Sequence, residues 1–189
     1  IDEIFRVIEG GRQSVVLVGE RGVGKVSMVQ GIAQRTVEEK VPERLRDKRL
    51  VQMSTSSLLA GTTISGAQER IINIMNEVAR AKNIIFFIDG IDDLVGSGGD
   101  GAVQGLDVSE TLAEFLSSGS FLSLATTTQN GYNQHIVNSA VGQVLAKVDV
   151  AEMTDNQAIQ VLESKVGGTE YKHNVFFTYD ALEQSVKLS

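Results

Sequence analysis

Two hydrophobic periods take turns along this chain, one helical and one strand-like. Ile1–Glu9 has the spacing of a short amphipathic helix, and Gly10-Gly11 ends it, since glycine accepts the left-handed cap conformation. Ser14–Val18 is a short β-branched run of the length of a buried strand. A helix is predicted from about Lys25 to Glu39, with Val26, Val29, Ala33 and Val37 at helical spacing. Pro42, the only proline, lies in the connection that follows. Leu50–Ser54 reads as a second strand, and Gln68–Ala81 as a helix with Ile71, Ile72, Met75 and Val78 on one side. Ile84-Ile85-Phe86-Phe87-Ile88 is a continuous apolar run, as in a central parallel strand covered on both faces. Gly96-Ser97-Gly98-Gly99-Asp100-Gly101 reads as a flexible loop. Val108–Leu116 is helical, and Phe121–Ala125 and Val148–Val150 complete five strands.

Strands therefore alternate with helices through residue 150, which predicts an α/β fold with a five-stranded parallel sheet, flanking helices and right-handed crossovers. The tail changes character. Thr154-Asp155 can cap a helix running to about Ser164, and Asp180–Leu188 looks like another. The expected organisation is an α/β domain over residues 1–150 and a small, truncated helical appendage over 151–189.

Composition narrows the setting. With 189 residues, 42% apolar and 22% charged, the chain is ordinary for a globular protein. No apolar run approaches the roughly 18 residues of a membrane helix, and the start has no signal-peptide pattern. Ile1-Asp2-Glu3-Ile4-Phe5 reads as the middle of a helix, which predicts a fragment of a longer protein. Cysteine is absent, which excludes disulfides and thiolate metal sites and is compatible with a reducing cytoplasm. His135 and His173 read as ordinary surface or packing residues. Residues 1–80 carry 12 basic and 10 acidic side chains, and residues 81–189 carry 5 basic and 14 acidic. The net charge of −7 argues against a large nucleic-acid surface.

The chemistry begins at Gly19-Glu20-Arg21-Gly22-Val23-Gly24-Lys25-Val26, between the first strand and the second helix. The spacing G-x-x-x-x-G-K wraps backbone N–H groups around a phosphate at a helix N-terminus, where unsatisfied donors and the macrodipole attract negative charge. Lys25 is placed to reach the outer phosphates. Val26 stands where a Ser or Thr hydroxyl normally meets Mg²⁺. Ser27 is no substitute, because one helical step turns a side chain by about 100°.

The apolar strand ending at Asp89 supplies the second half of such a site, with Asp89 near Mg²⁺. The next position usually carries a glutamate that polarises the attacking water. Here it is Gly90, which cannot act as a base. Asp92 and Asp93 follow closely and are the only nearby replacements.

With both motifs placed, nearly the whole chain resembles the first AAA+ module of Clp-type unfoldases and disaggregases. Val16-Leu17-Val18-Gly19-Glu20-Arg21-Gly22-Val23-Gly24-Lys25 is similar to that family's V-L-I-G-E-P-G-V-G-K. Gly31-Ile32-Ala33-Gln34-Arg35, Val41-Pro42-Glu43-Arg44-Leu45 and Leu58-Leu59-Ala60-Gly61 resemble G-L-A-Q-R, V-P-E-x-L and L-V-A-G. Phe87-Ile88-Asp89 with Val95-Gly96, and Ala125-Thr126-Thr127 with Tyr132, fit F-I-D-E…V-G and A-T-T…Y.

The resemblance implies an AAA+ fold whose appendage is the start of a helical lid. It also implies ATP or ADP bound between subunits of a hexameric ring, with other modules of a longer cytoplasmic chain alongside. Protein substrates gripped in a central pore, and a protease partner, belong to the same picture. By position, Gly19–Lys25 would bind phosphates, Asp89 would lie near Mg²⁺, Thr126 would sense the γ-phosphate, and Ile159 would touch adenine.

The departures fall on catalytic and mechanical positions. They are Val26, Gly90, Gln143-Val144 where the family has paired arginines, and Thr63-Ile64-Ser65-Gly66 where it has a pore tyrosine. No arginine follows Arg80. An arginine finger is worth roughly 10³–10⁵ in rate, and a positioned general base roughly 10²–10⁴. Three readings follow: a structural nucleotide binder with little or no hydrolysis, a working ATPase with relocated groups at Asp92 or Asp93, or a scaffold that binds no nucleotide because Arg21 blocks the loop.

Overall fold

A computed structural model describes residues 1–11, 14–55, 58, 60–61, 63–95 and 108–188. The chain divides into two compact units, Ile1–Val150 and Ala151–Ser189. The glycine-rich stretch 96–101, Leu59 and Gly96 of the matched motifs lie outside the described residues.

In the first unit, helix α1 (Asp2–Glu9) leads into strand β1 (Ser14–Val18), then α2 (Lys25–Val37), β2 (Arg49–Ser54), α3 (Ile64–Ala81) and β3 (Ile84–Asp89). Next come α4 (Ser109–Ser117) and β4 (Leu122–Thr127). A helical turn at Gln129–Gly131 then runs into a π-helical stretch at Tyr132–Ile136. A short helix α5 (Ala140–Val144) and strand β5 (Ala146–Asp149) close the unit. The strands form one parallel sheet in the order β2-β3-β4-β1-β5. Because every pair is parallel, all strands end at the same edge, and the loops that leave that edge are brought together.

The pleat sorts the apolar side chains onto two faces. Val15 and Leu17 of β1, Ile85 and Phe87 of β3 and Leu124 of β4 join Ile4, Phe5 and Ile8 of α1 and Val29 and Ile32 of α2. Val16, Val18, Phe86, Ile88 and Ala125 point the other way, onto Ile71, Met75 and Val78 of α3 and Leu112 and Leu116 of α4. Burial on both faces explains the unbroken apolar run of β3.

Several element bounds move. Helix α3 begins at Ile64, where the Thr63 hydroxyl caps it by accepting from the Gly66 N–H at 3.2 Å. The buried stripe of α3 is Ile71, Met75 and Val78, leaving Ile72 39% exposed. In α2 the buried pair is Val29 and Ile32, and Val37 is 85% exposed at the helix end. The helical segments between β4 and β5 escape sequence reading because they are short and carry no clear period.

The second unit holds helices α6 (Asp155–His173) and α7 (Tyr179–Lys187). A capping box joins Thr154 to Gln157 at the start of α6. Helix α6 runs beyond Ser164 through Gly167-Gly168, so glycine in mid-helix does not stop it. Among the described residues, no helix is long and apolar enough to cross a membrane.

Candidate nucleotide-binding site

The site is assembled at the edge where the parallel strands end. Strand β1 delivers Gly19–Gly24, β3 delivers Asp89–Asp93, and β4 between them delivers Thr126 and Thr127. The Gly19 N–H donates to the Thr127 carbonyl at 3.3 Å, which ties the start of the loop to the end of β4. Gly22 and Gly24 take φ of 90° and 94°, in the left-handed region that glycine alone adopts freely. Gly24 is also the N-cap of α2, so the loop feeds straight into a helix N-terminus, whose free N–H groups favour an anion. Lys25 is the first residue of that helix. Its ammonium donates to the carbonyls of Gly19 (2.7 Å) and Glu20 (2.9 Å), which keeps it at the mouth of the loop.

Val26 is half-buried and packs against the core cluster beneath α2, while Ser27 is exposed. The valine is thus a packing residue, and no hydroxyl from either position joins the site.

The acidic side shows a division of labour. Asp89 Oδ1 accepts from the buried Thr126 hydroxyl at 2.5 Å, and Thr126 Oγ1 in turn accepts from the Gly90 N–H at 3.1 Å. Strand pairing sets this contact, since Asp89 and Thr126 are register partners. Gly90 has φ 72° and opens a single 3₁₀ turn, Ile91–Asp93. That turn folds two carboxylates back over glycines. A Cβ placed on Gly90 would lie 3.1 Å from Asp93 Oδ2, and one placed on Gly131 would collide with the Asp92 carboxylate. Asp93 also accepts a side-chain hydrogen bond from Thr55. Asp89, Asp92 and Asp93 therefore each face a different neighbour. No group of three or more His, Cys, Asp or Glu converges as a metal-binding set among the described residues.

The Asp93 carboxyl is pushed above its usual range, first by burial and then by Asp92 and Asp89, against the pull of Arg21 and Thr55. Such a group holds its proton more tightly folded than unfolded. Its ionised form therefore costs stability above the folded pKa, and the cost vanishes below the ordinary carboxylate value of 3.8. Asp93→Asn is expected to raise the melting temperature slightly at pH 7, with the gain fading towards about pH 4. Unfolding scans at both pH values check this, and a gain that grows on acidification contradicts it.

Sequence reading placed Gly19–Lys25, Asp89, Gly90 and Thr126, and the fold brings all of them to this edge. It missed Thr55 and Gly131, whose parts depend on a turn distant in sequence. Tyr132 packs partly against the core and carries the Lys147 ammonium 5.1 Å above its ring. Gln143 is exposed in α5, and Thr63–Gly66 form the cap and first turn of α3. Ile159 is buried and belongs to α6 of the second unit.

Comparison with known proteins decides the lineage. Residues 15–162 match the model of the ATPase family associated with various cellular activities (AAA). The chain belongs to the AAA family, as an AAA+ module of the Clp chaperone type. It is 36% identical over 193 residues to the negative regulator of genetic competence ClpC/MecB of Bacillus subtilis, covering 99% of this chain and 24% of the relative. It is 35% identical to chaperone protein ClpB of Oceanobacillus iheyensis, again covering 99% and 24%. Among solved structures, the S. cerevisiae Hsp104–ADP complex matches with a TM-score of 0.84 and 29% identity, over 99% of this chain and 32% of that one. A closed-state cryo-EM reconstruction of Hsp104 with ATPγS and FITC casein gives 0.81 and 30%, over 99% and 33%. The module thus spans about a quarter of the length of these curated relatives.

Proposed function

We propose that this AAA+ module binds ATP or ADP as a structural and regulatory part of a Clp-type protein-remodelling ring and hydrolyses little or none of it. The observation that carries the reading is Gly90. The phosphate loop keeps its strand–loop–helix geometry and its lysine, yet position 90 offers no carboxylate to polarise water. Asp93 sits over Gly90, its Oδ2 3.1 Å from where a Cβ would lie, but it projects from the 3₁₀ turn and not from the strand end where a glutamate would stand. With no arginine after Arg80, a neighbouring copy has none to offer from the aligned α5 positions Gln143 and Val144. Mg²⁺ is held weakly at best in this reading, because Val26 brings no hydroxyl and the three aspartates diverge.

The ring, its six-fold assembly, protein substrates, a protease partner, other modules and a cytoplasmic setting all follow the kinship with Clp chaperones. Contact of Ile159 with adenine belongs to the same proposal. The test is nucleotide titration beside a turnover assay. Saturable micromolar binding with background hydrolysis supports the reading, and turnover that Lys25→Ala abolishes overturns it.

A second reading makes Asp93 a relocated base, favoured by its place over Gly90. Its check is an Asp92→Ala, Asp93→Ala double variant, whose turnover should collapse if either carboxylate does that work. Restoring the glutamate is a sharper probe of the first reading. Gly90→Glu is expected to cost about 1–2 kcal/mol, since φ 72° disfavours a side chain, and to leave hydrolysis at background. Turnover regained by that single change would make Gly90 alone responsible for the silence, with Val26 and the missing arginine contributing little.

A further inference from the structure

The opposite edge of the sheet, where the strands begin, carries a pocket that the nucleotide site does not use. Its volume is about 390 Å³, and it lies between residues 43–48, which lead into β2, and residues 119–122, which lead into β4. The first wall is set on a 3₁₀ turn, Glu43–Leu45, whose Leu45 is fully buried. Asp47, left-handed at φ 57°, then turns the chain between Arg46 and Lys48. Arg44, Arg46 and Lys48 all line the pocket. Two of these cations are held in place by neutral oxygens. Arg44 Nη1 donates to the Ile8 carbonyl at 3.2 Å, and Lys48 Nζ donates to the Lys82 carbonyl at 2.9 Å. None of the three forms an ion pair among the described residues, although Glu43 lines the same pocket. The rest of the lining, Ser120 and the apolar Phe121 and Leu122 among it, is uncharged. Gly119, at φ 68°, also lines a second hollow of about 310 Å³ with Gly11, Ser117 and Gln143, and no charged side chain lines that one. A cationic pocket therefore opens, at Gly119, onto a neutral cleft.

We infer that this edge is a docking site for a short acidic segment of a partner protein, with its carboxylates in the pocket of Arg44, Arg46 and Lys48 and its uncharged part along the cleft beyond Gly119. Three cations gathered in one concavity focus a positive potential that a lone surface lysine does not make. Guanidinium forks match carboxylates in geometry, and a carboxylate would replace neutral carbonyls as partner with charge-assisted bonds. The occupant that fits is a peptide because charge covers only part of the surface: the apolar lining and the neutral cleft suit uncharged residues beside the acidic ones. A nucleic acid, charged at every step, would lie over that neutral cleft on a chain of net charge −7. The inference does not rest on the nucleotide-binding reading, since its residues lie at the other end of the strands.

The test is fluorescence anisotropy of a labelled peptide of alternating Glu and Ala titrated with this chain, beside a Gln/Ala peptide of the same length. The Glu/Ala peptide should bind saturably and more weakly as salt is raised, and the Gln/Ala peptide should not bind. Arg46→Gln should weaken binding by about three- to fivefold, the upper range for an exposed charge pair. Neutralising Arg44, Arg46 and Lys48 together should weaken it by at least about thirtyfold, as three such losses add. Ser120→Glu keeps all three cations and sets a carboxylate among them. It should cut peptide binding by about tenfold, the effect of one charge-assisted contact, while melting no lower than the parent. This variant decides the matter even if the triple variant fails to fold. Equal binding of the two peptides overturns the inference, and so does the absence of saturable binding. Glu/Ala binding untouched by Ser120→Glu and by Arg46→Gln places the peptide elsewhere and overturns it too. Stronger displacement by inorganic phosphate or single-stranded DNA than by unlabelled Glu/Ala peptide, at matched ionic strength, overturns the choice of occupant.

Discussion

Lys25→Ala is expected to weaken ATP and ADP binding by at least about a hundredfold while leaving the fold nearly as stable as before. The side chain sits on the first residue of α2, and its ammonium is already gathered at the mouth of the loop by the carbonyls of Gly19 and Glu20. Phosphate oxygens compete for the same three N–H donors, and charged pairs outbid neutral carbonyls. Two charge-assisted contacts at about 1.5 kcal/mol each amount to roughly 3 kcal/mol, or more than a hundredfold in Kd. The stability change is smaller, because what the variant loses in the fold is two partly exposed hydrogen bonds to a loop. Isothermal titration with thermal unfolding on the same sample separates the effects. An unchanged Kd would show that the cradle takes its affinity elsewhere, and a large fall in melting temperature would show that Lys25 is a brace for the loop.

Much of this site could be read before the fold was known, for a physical reason. The phosphate loop is a local object: the flanking strand, the glycines, the lysine and the flanking helix follow one another without a break from Ser14 to Val37. Strands β1 and β3 were readable because both sheet faces are covered there, so apart from Ser14 and Asp89 at their ends they are apolar instead of alternating. Asp89 and Thr126 were each placed by motif, but their mutual hydrogen bond needed the β3–β4 register, which no local pattern encodes.

Gly131 was illegible for a related reason. A glycine in a short helical turn carries no signal that a carboxylate from a distant turn will press on its Cα. The same holds for Thr55, which means something only once β2 is laid beside β3. Val26 stood out in the sequence only as a position without a hydroxyl, and its packing against the core under α2 required the helix to be docked. The two positions thus differ in structure: Gly90 carries no side chain and opens a turn, whereas Val26 packs against the core.

The glycines of the loop differ in what they are for, and substitution should separate them. Gly19→Ala is expected to cost about 2–3 kcal/mol, in the upper range for overpacking a tight site. A Cβ on Gly19 would collide with the Val150 carbonyl oxygen and lie 3.2 Å from both Val150 Cβ and Val23 Cγ2. The carbonyl cannot yield cheaply, because the Val150 N–H is held by Val18 O at 2.7 Å beside β1. Gly22 has open space around its Cα, so Gly22→Ala meets only the backbone penalty of φ 90°, about 1 kcal/mol. At roughly 2–4 °C per kcal/mol for a chain of this size, Gly19→Ala should melt about 4–12 °C below the parent and Gly22→Ala only about 2–4 °C below it. Both should lose nucleotide affinity, Gly22→Ala by disturbing the cradle alone and Gly19→Ala by shifting the whole loop off the end of β4. Equal melting temperatures for the two variants would mean that the close approach of β5 to the loop is not rigid, and the first glycine would then serve the phosphate alone.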